Sequence, residues 1–222
     1  MKILLFGATG MVGQGILREC LLDPDVESVL AVGRRASGAS YAKLRELVAP
    51  NLHDLSPHAA ELTGFDACFF CLGASSAGMS EADYRRVTKD LTLAVAGVLA
   101  RLSPRMFVYV SGAGTDSTEH GRSMWARVKG ETENALLRLP FAAAYMFRPG
   151  YIQPVHGITS KTSLYRAMYA VVSPLFPMLN RLFPNQVTTT ERVGRAMLAV
   201  AKRGAPKKVL ETCDLNALAA GA

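Results

Sequence analysis

Two rhythms of apolar residues alternate along this chain. Residues 1–6 form a short apolar run with no turn residue, and residues 14–22 repeat apolar positions at helical spacing. Further runs at 27–33, within 44–52, and at 66–72, 104–111 and 141–147 predict strands, the one within 44–52 ending near His53, Asp54 and Leu55. Between them, 81–102 sets Val87, Leu91, Val95, Val98 and Leu102 on one helical face, and 124–139 predicts a helix closed by Pro140. Parallel strands covered on both faces read as continuous apolar runs, as these do. The alternation, with right-handed crossovers, predicts an α/β fold: a doubly wound parallel sheet with helices on both faces. Gly7, Gly33, Asp54, Gly73, Ser111 and Gly150 then follow or close their strands and should gather at the sheet edge where ligands of such folds bind.

Beyond residue 150 the pattern changes. Residues 163–183 are apolar, but Pro174 and Pro177 interrupt them and Arg166 and Arg181 argue against a membrane span, so two helical pieces are expected. We expect residues 1–222 to form a single domain, with 151–187 as a small helical segment covering the substrate side. The plain reading of 163–183 is packing onto the sheet. The sharper one is contact with a second copy, a protein partner or a membrane surface. A helix capped by Thr190 is expected over 190–201, and an edge strand over 207–212.

Composition narrows the function. Hydrophobic residues make up 50% and charged residues 19%, a globular balance. The net charge of +7 is spread in pairs such as Arg34–Arg35, Arg85–Arg86 and Lys207–Lys208, without a basic block or interleaved aromatics. That argues against nucleic-acid binding and for an anionic ligand. The apolar run after Lys2 is too short for a secretory leader and no window is long enough to span a bilayer, so a cytoplasmic location is expected. Cys68 and Cys71 have the spacing of a redox or metal pair, yet positions three apart on a strand face opposite ways. With Cys20 and Cys213 they are expected to be reduced thiols, and the histidines at 53, 58, 120 and 156 lack ligand spacing, so no metal is expected.

The chemistry concentrates at Gly7-Ala8-Thr9-Gly10-Met11-Val12-Gly13, set between a strand and a helix. Gly7 allows a tight turn, Gly10 lets backbone approach a diphosphate, and Gly13 lets helix and strand pack closely. The helix N-terminus adds free N–H groups and partial positive charge. About twenty positions later an NAD site carries a carboxylate on the ribose. Here the chain reads Gly33-Arg34-Arg35, suited to pairing with a 2′-phosphate, so NADP(H) is expected over NAD(H). Asp54 and Leu55 are expected near the adenine.

On that glycine motif, the Leu72-Gly73 strand end, Val110-Ser111-Gly112, Lys129-Gly130-Glu131 and Arg148-Pro149-Gly150, the chain resembles the atypical short-chain dehydrogenase/reductases. These are NAD(P)-binding Rossmann proteins, and the resemblance is to their Tat-interacting-protein-like and epimerase-like branch. It spans residues 1–150 and resumes loosely at 188–201. It implies a serine that orients a carbonyl, a tyrosine that moves the proton, and a lysine four residues on that binds the ribose and lowers the tyrosine pKa. Ser111 and Lys129 match, but Trp125 stands where the tyrosine should be, and an indole N–H does not exchange its proton in this pH range. Tyr151 or Tyr84 could supply the proton, a quinone- or flavin-like substrate could need none, or the protein could bind NADPH without turnover. Tyr109, two before Ser111 on the same strand, reads as core. The resemblance therefore implies an NADP(H)-dependent reductase or epimerase-like enzyme on a small molecule; a non-catalytic NADPH-binding regulator is the alternative.

Overall fold

A strand buried on both faces must be apolar at every inner position. In β1 (Lys2–Phe6), Ile3 and Leu5 enter one core while Leu4 and Phe6 enter the other. The computed structural model describes residues 1–102, 105–159, 169 and 172–221. After β1 come α1 (Met11–Leu22), β2 (Ser28–Gly33), β3 (Leu44–Val48) and β4 (Ala67–Phe70). α2 (Glu81–Arg85) passes through a π-helical turn at Arg86–Asp90 into α3 (Leu91–Leu102), followed by β5 (Met106–Val110), α4 (Met124–Leu137) and β6 (Ala143–Arg148). The remainder holds β7 (Tyr151–Gln153), α5 (Phe176–Leu182), β8 (Val187–Thr189), α6 (Thr190–Arg203), β9 (Val209–Glu211) and α7 (Thr212–Ala220).

Among the described residues, one sheet runs β3-β2-β1-β4-β5-β6-β9, with every neighbouring pair parallel. The strand order reverses between β1 and β4, which opens a crevice at their carboxyl ends. α1, α6 and α7 cover one face, where Ile16, Val193, Met197 and Leu215 meet Ile3, Leu5, Phe69 and Phe147. α3 and α4 cover the other, where Val95, Leu99 and Leu136 meet Leu4, Phe70 and Phe107. Phe6, Phe70 and Phe107 stack across three strands at centroid separations of 5.5 and 5.7 Å. Burying each such ring contributes roughly 1.5–3 kcal/mol. β7 and β8 pair separately, Tyr151 opposite Val187.

Several expectations are corrected. β3 stops at Val48, because Pro50 just beyond it cannot donate to a ladder, so Asp54 and Leu55 do not close a strand. The long helix contains the π-turn, whose extra residue rotates the apolar face, and Thr88 rather than Val87 is the buried residue there. The capping threonine of α6 is Thr189, whose Oγ1 accepts from the Arg192 N–H at 3.0 Å, not Thr190. The β7–β8 ladder and α7 were not expected. Of the 163–183 segment, residues 163–168, 170 and 171 lie outside the described residues. The described part is a 3-10 turn at Ser173–Leu175 and α5, with Leu175, Met178 and Leu182 exposed. The expected edge strand is β9 on β6, and Cys68 and Cys71 do face opposite cores. No helix among the described residues is long and apolar enough to cross a membrane.

Candidate functional site

The turn from β1 to α1 is built around three absent side chains. Gly7 has φ +87°, and a Cβ there would lie 2.8 Å from the Cys71 carbonyl carbon on β4's exit. A Cβ on Gly13 would lie 2.0 Å from the Gly7 carbonyl oxygen, closer than any real side chain approaches. Gly10 is the N-cap residue of α1 and offers no capping side chain. Val12 packs against the core, and the backbone amides of Met11 and Val12 open the first turn of α1. Thr9 and Gly7 line a cleft of about 610 Å³ that continues past Leu72 to the end of β2.

Arg34 and Arg35 line the far end of that cleft and are exposed. Glu46 of β3 also lines it, but Oε1 accepts the Ser37 N–H at 2.8 Å, and the hydrogen bonds from Ser37 hold its carboxyl below the usual range. Asp54 and Leu55 do not reach the cleft. The Asp54 carboxylate accepts the Ser56 N–H at 3.0 Å and closes its own loop, while Leu55 is fully buried in the core. Pro50 and Leu52 occupy the place expected for them. Sequence reasoning missed both, since nothing marks where β3 ends except Pro50.

A second cleft, of about 360 Å³, opens where β5 and β6 leave the sheet. Ser111 does not face it. Its Oγ donates to Glu133 Oε1 at 2.5 Å and lies 3.1 Å from the Phe147 carbonyl oxygen. Glu133 is fully buried on α4 and receives Arg148 Nη2 at 2.5 Å and Nε at 3.1 Å. Ser111 is thus part of a buried ion pair that ties β5, β6 and α4 together, and the expected carbonyl-orienting role does not fit its direction. Gly112, with φ +155°, and Ala113 are the residues of that exit which line the cleft.

Lys129 and Trp125, one helical turn apart on α4, both line the cleft. The Trp125 ring covers Gly114, where a Cβ would meet it at 3.4 Å. Lys129 Nζ donates to the Ser111 carbonyl oxygen. Desolvation pulls its pKa down to about 8, against the opposing charge of Glu133. Tyr84 of α2 lines the cleft with 1% of its surface exposed, as do Pro149 and Gly150. α2 is held to α4 by ion pairs: Arg85 bonds both oxygens of Glu131 at 2.5 Å, and Arg127 reaches Glu81 at 2.8 Å. The Arg85 hydrogen bonds, with Lys89, hold the Glu131 carboxyl down at about 2. This clamp also escaped the sequence reading, although its matched (i, i+4) charges at 81/85 and 127/131 are legible.

Tyr151 lies outside that cleft. Its hydroxyl donates to Gln153 Oε1 at 2.8 Å, and its ring packs on Tyr169 at 5.6 Å and Phe176 at 6.5 Å. Burial raises its pKa, which opposes an acid–base role. Tyr109 is core, its hydroxyl pushed up by burial. Among the described residues no cluster of three or more His, Cys, Asp or Glu side chains could hold a metal.

Comparison with known proteins places this arrangement in a class. No family model matches the chain. A mitochondrial fmp52 protein of Emericella nidulans is 31% identical over 158 residues, 68% of this chain and 66% of the relative. FMP52 of Eremothecium gossypii is 32% identical over 154 residues, with the same 68% and 66% coverage, and HTATIP2 of Rattus norvegicus is 27% identical over 154 residues, 68% of this chain and 62% of that protein. The matches thus span just under two thirds of these relatives' own length. Among solved structures, a dTDP-glucose 4,6-dehydratase from Streptomyces venezuelae with NAD bound superposes with TM-score 0.70 at 16% identity, covering 100% of this chain and 80% of that one. A UDP-glucose 4-epimerase from Thermotoga maritima gives 0.66 at 14% identity, covering 100% and 82%. The fold is therefore that of the Rossmann epimerases and dehydratases. The chain belongs to the atypical short-chain dehydrogenase/reductases, in the group that includes fmp52 and HTATIP2. The cytoplasmic expectation is overturned: fungal relatives are named as mitochondrial proteins, and neither a short apolar run after Lys2 nor the lack of a bilayer-long window distinguishes the two compartments.

Proposed function

We propose that this chain is an NADP(H)-dependent reductase. The observation that carries the reading is the glycine cradle, where a Cβ on Gly13 would stand 2.0 Å from the Gly7 oxygen and only an empty turn lets α1 present its amides. In this reading those amides hold the diphosphate, Arg34 and Arg35 bind the 2′-phosphate, and Leu72, Gly73, Pro149 and Gly150 line the path of the dinucleotide. Lys129 binds the ribose hydroxyls, and Trp125 packs beside the ring end. When bound, the cofactor supplies a hydride. The chain's own part is to orient the acceptor, exclude water from the small cleft and keep a positive charge at Lys129.

Trp125 is the sole tryptophan of the chain, so it reports on the cleft it lines. Reduced nicotinamide absorbs where tryptophan emits, and bound NADPH should take up Trp125 fluorescence. The expected result is saturable energy transfer, at least tenfold tighter for NADPH than for NADH. No transfer with either nucleotide, on folded protein, overturns the reading.

One observation favours a second reading, a binder that reports cofactor state without turnover. Ser111 is turned into the Glu133 pair and Trp125 replaces the tyrosine, so the usual proton machinery is incomplete. NADPH oxidation assayed against quinones, aldehydes and ketones separates the two: tight binding with no oxidation across the panel selects the binder.

A further inference from the structure

Next to the small cleft lies a hollow of about 560 Å³ whose walls belong to the part of the chain that the alternating pattern did not explain. The two spaces share Ala113 and Gly150. Tyr151 and Val187 of the β7–β8 ladder line one side, and Leu179 and Phe183, on and just after α5, line the other. The size falls within the range of small-molecule sites, roughly 300–1,000 Å³. Among the described residues lining it the one charged side chain is Glu211, an acid already paired with Arg148 at 3.3 Å. No lysine or arginine lines it among those residues. A sugar nucleotide brings a diphosphate, whose charge calls for cationic partners, and among the described lining residues Asn185 and Gln186 are the amides and no cation stands beside them.

The neighbouring cleft restricts the chemistry further. Of the two positions that the family resemblance assigns to proton handling, Ser111 is turned into the Glu133 pair and Trp125 carries no exchangeable acid. Among the described residues this leaves the buried Tyr84 phenol and Lys129, already donating to the Ser111 carbonyl oxygen, as the titratable groups lining the cleft. Hydride addition to a ketone leaves an alkoxide, a base about as strong as hydroxide, which needs a proton as it forms. Hydride addition to a quinone leaves a phenolate of tyrosine-like basicity, pKa roughly 10, which water protonates afterwards.

We propose that the hollow lined by Tyr151, Leu179, Phe183 and Val187 binds an uncharged, flat quinone, with its carbonyl end passing Ala113 and Gly150 toward Lys129. The inference rests on the dinucleotide reading above for its reaction, though not for its binding. In the balanced step the quinone gains a hydride from the reduced cofactor and a proton from water, giving the hydroquinone and the oxidised cofactor. The aromatic rings of Tyr151 and Phe183 supply stacking surface for the acceptor.

The test uses menadione and UDP-glucose as probes, with and without NADPH, on the whole chain. Binding is read from Trp125 emission and from thermal unfolding, and turnover from NADPH absorbance. Menadione should bind saturably in both conditions, and Leu179→Arg should weaken it at least tenfold while leaving NADPH energy transfer within twofold. Phe183→Ala, at a residue already 47% exposed, should weaken it by a smaller factor and is the arm that stands if the arginine disturbs α5. UDP-glucose should show no saturable signal. Saturable UDP-glucose binding, absence of menadione binding, or menadione binding untouched by both substitutions overturns the proposal. Failure of NADPH to bind while menadione binds as expected refutes the dinucleotide reading and leaves the hollow's assignment standing.

Discussion

Gly13→Ala is the sharpest perturbation of the cradle. The new Cβ would stand 2.0 Å from the Gly7 oxygen and 2.6 Å from its carbonyl carbon, both backbone atoms that cannot swing aside. Real Cβ contacts essentially never fall below 3.0 Å, so α1 and the turn must part by about an ångström. Overpacking of this kind costs roughly 1–3 kcal/mol, which in a domain of this size lowers Tm by about 2–4 °C per kcal/mol. Binding should suffer more than folding. The same displacement moves the first amides of α1, and a 1 Å misplacement of positioning groups can cost on the order of 100-fold. The assay is NADPH titration by Trp125 energy transfer, alongside thermal unfolding of the same sample. Gly97→Ala is the control: its Cβ meets nothing within 4 Å on α3, and helix propensity alone should stabilise the fold by roughly 0.5–1 kcal/mol with binding unchanged. A Gly13→Ala protein that binds NADPH within twofold of the parent refutes the cradle as the diphosphate site.

Arg34→Ala should weaken NADPH by about tenfold or more, the loss of a charge-assisted hydrogen bond of roughly 1.5–3 kcal/mol, while NADH titrations stay within twofold; equal losses would remove the 2′-phosphate assignment. Lys129 has a folded pKa of about 8 against an ordinary value of 10.5, so the unfolded chain holds the extra proton between these and stability rises with pH across that window. Lys129→Met should therefore raise Tm at pH 7, lose that advantage as pH climbs through 8 toward 10.5, and weaken NADPH binding; a melting difference independent of pH contradicts the desolvation argument. Glu133→Ala leaves the Arg148 guanidinium without its buried partner and should cost about 3–5 kcal/mol by denaturant titration. Trp125→Tyr places a phenol one turn before Lys129 and should raise ketone reduction measured by NADPH absorbance, whereas no change counts against the assigned geometry of α4.

The alternating part of the fold was legible because its strands are buried on both faces and its helices on one, so periodicity and burial report the same thing. β1, β2, β4, β5 and β6 fall where their apolar runs lie, within a few residues. The small ladder was not legible: β7 and β8 hold three residues each, too few for any period to register, and they meet only because Gly150 lets the chain pass the Gln186 carbonyl, where a Cβ would lie 2.2 Å from its oxygen. The π-turn was hidden for a related reason. One extra residue in a turn leaves the composition of 81–102 unchanged and alters only the face on which Thr88 falls.

The candidate site divides along the same line. Its glycine turn was readable because backbone geometry demands glycine at Gly7 and Gly13 whatever surrounds them. Its serine was misassigned because a motif records identity and not direction. The direction was nonetheless available in the strand's own period. Tyr109 and Ser111 share a side of β5, Tyr109 is buried in the core beneath α3 and α4, and a hydroxyl two residues on must point toward the same helices. Glu133, four residues after Lys129 on α4, is the carboxylate waiting there. An apolar strand that exits with a serine on its helix-covered side, followed by a helix with a buried glutamate and by an arginine ending the next strand, specifies an internal ion pair before it specifies a catalytic hydroxyl. The loss of a cleft-facing serine and of the tyrosine then belong together. With neither group lining the cleft, its titratable side chains among the described residues are Lys129 and the buried Tyr84, and an acceptor whose reduced form holds negative charge on a stabilised oxygen asks least of them.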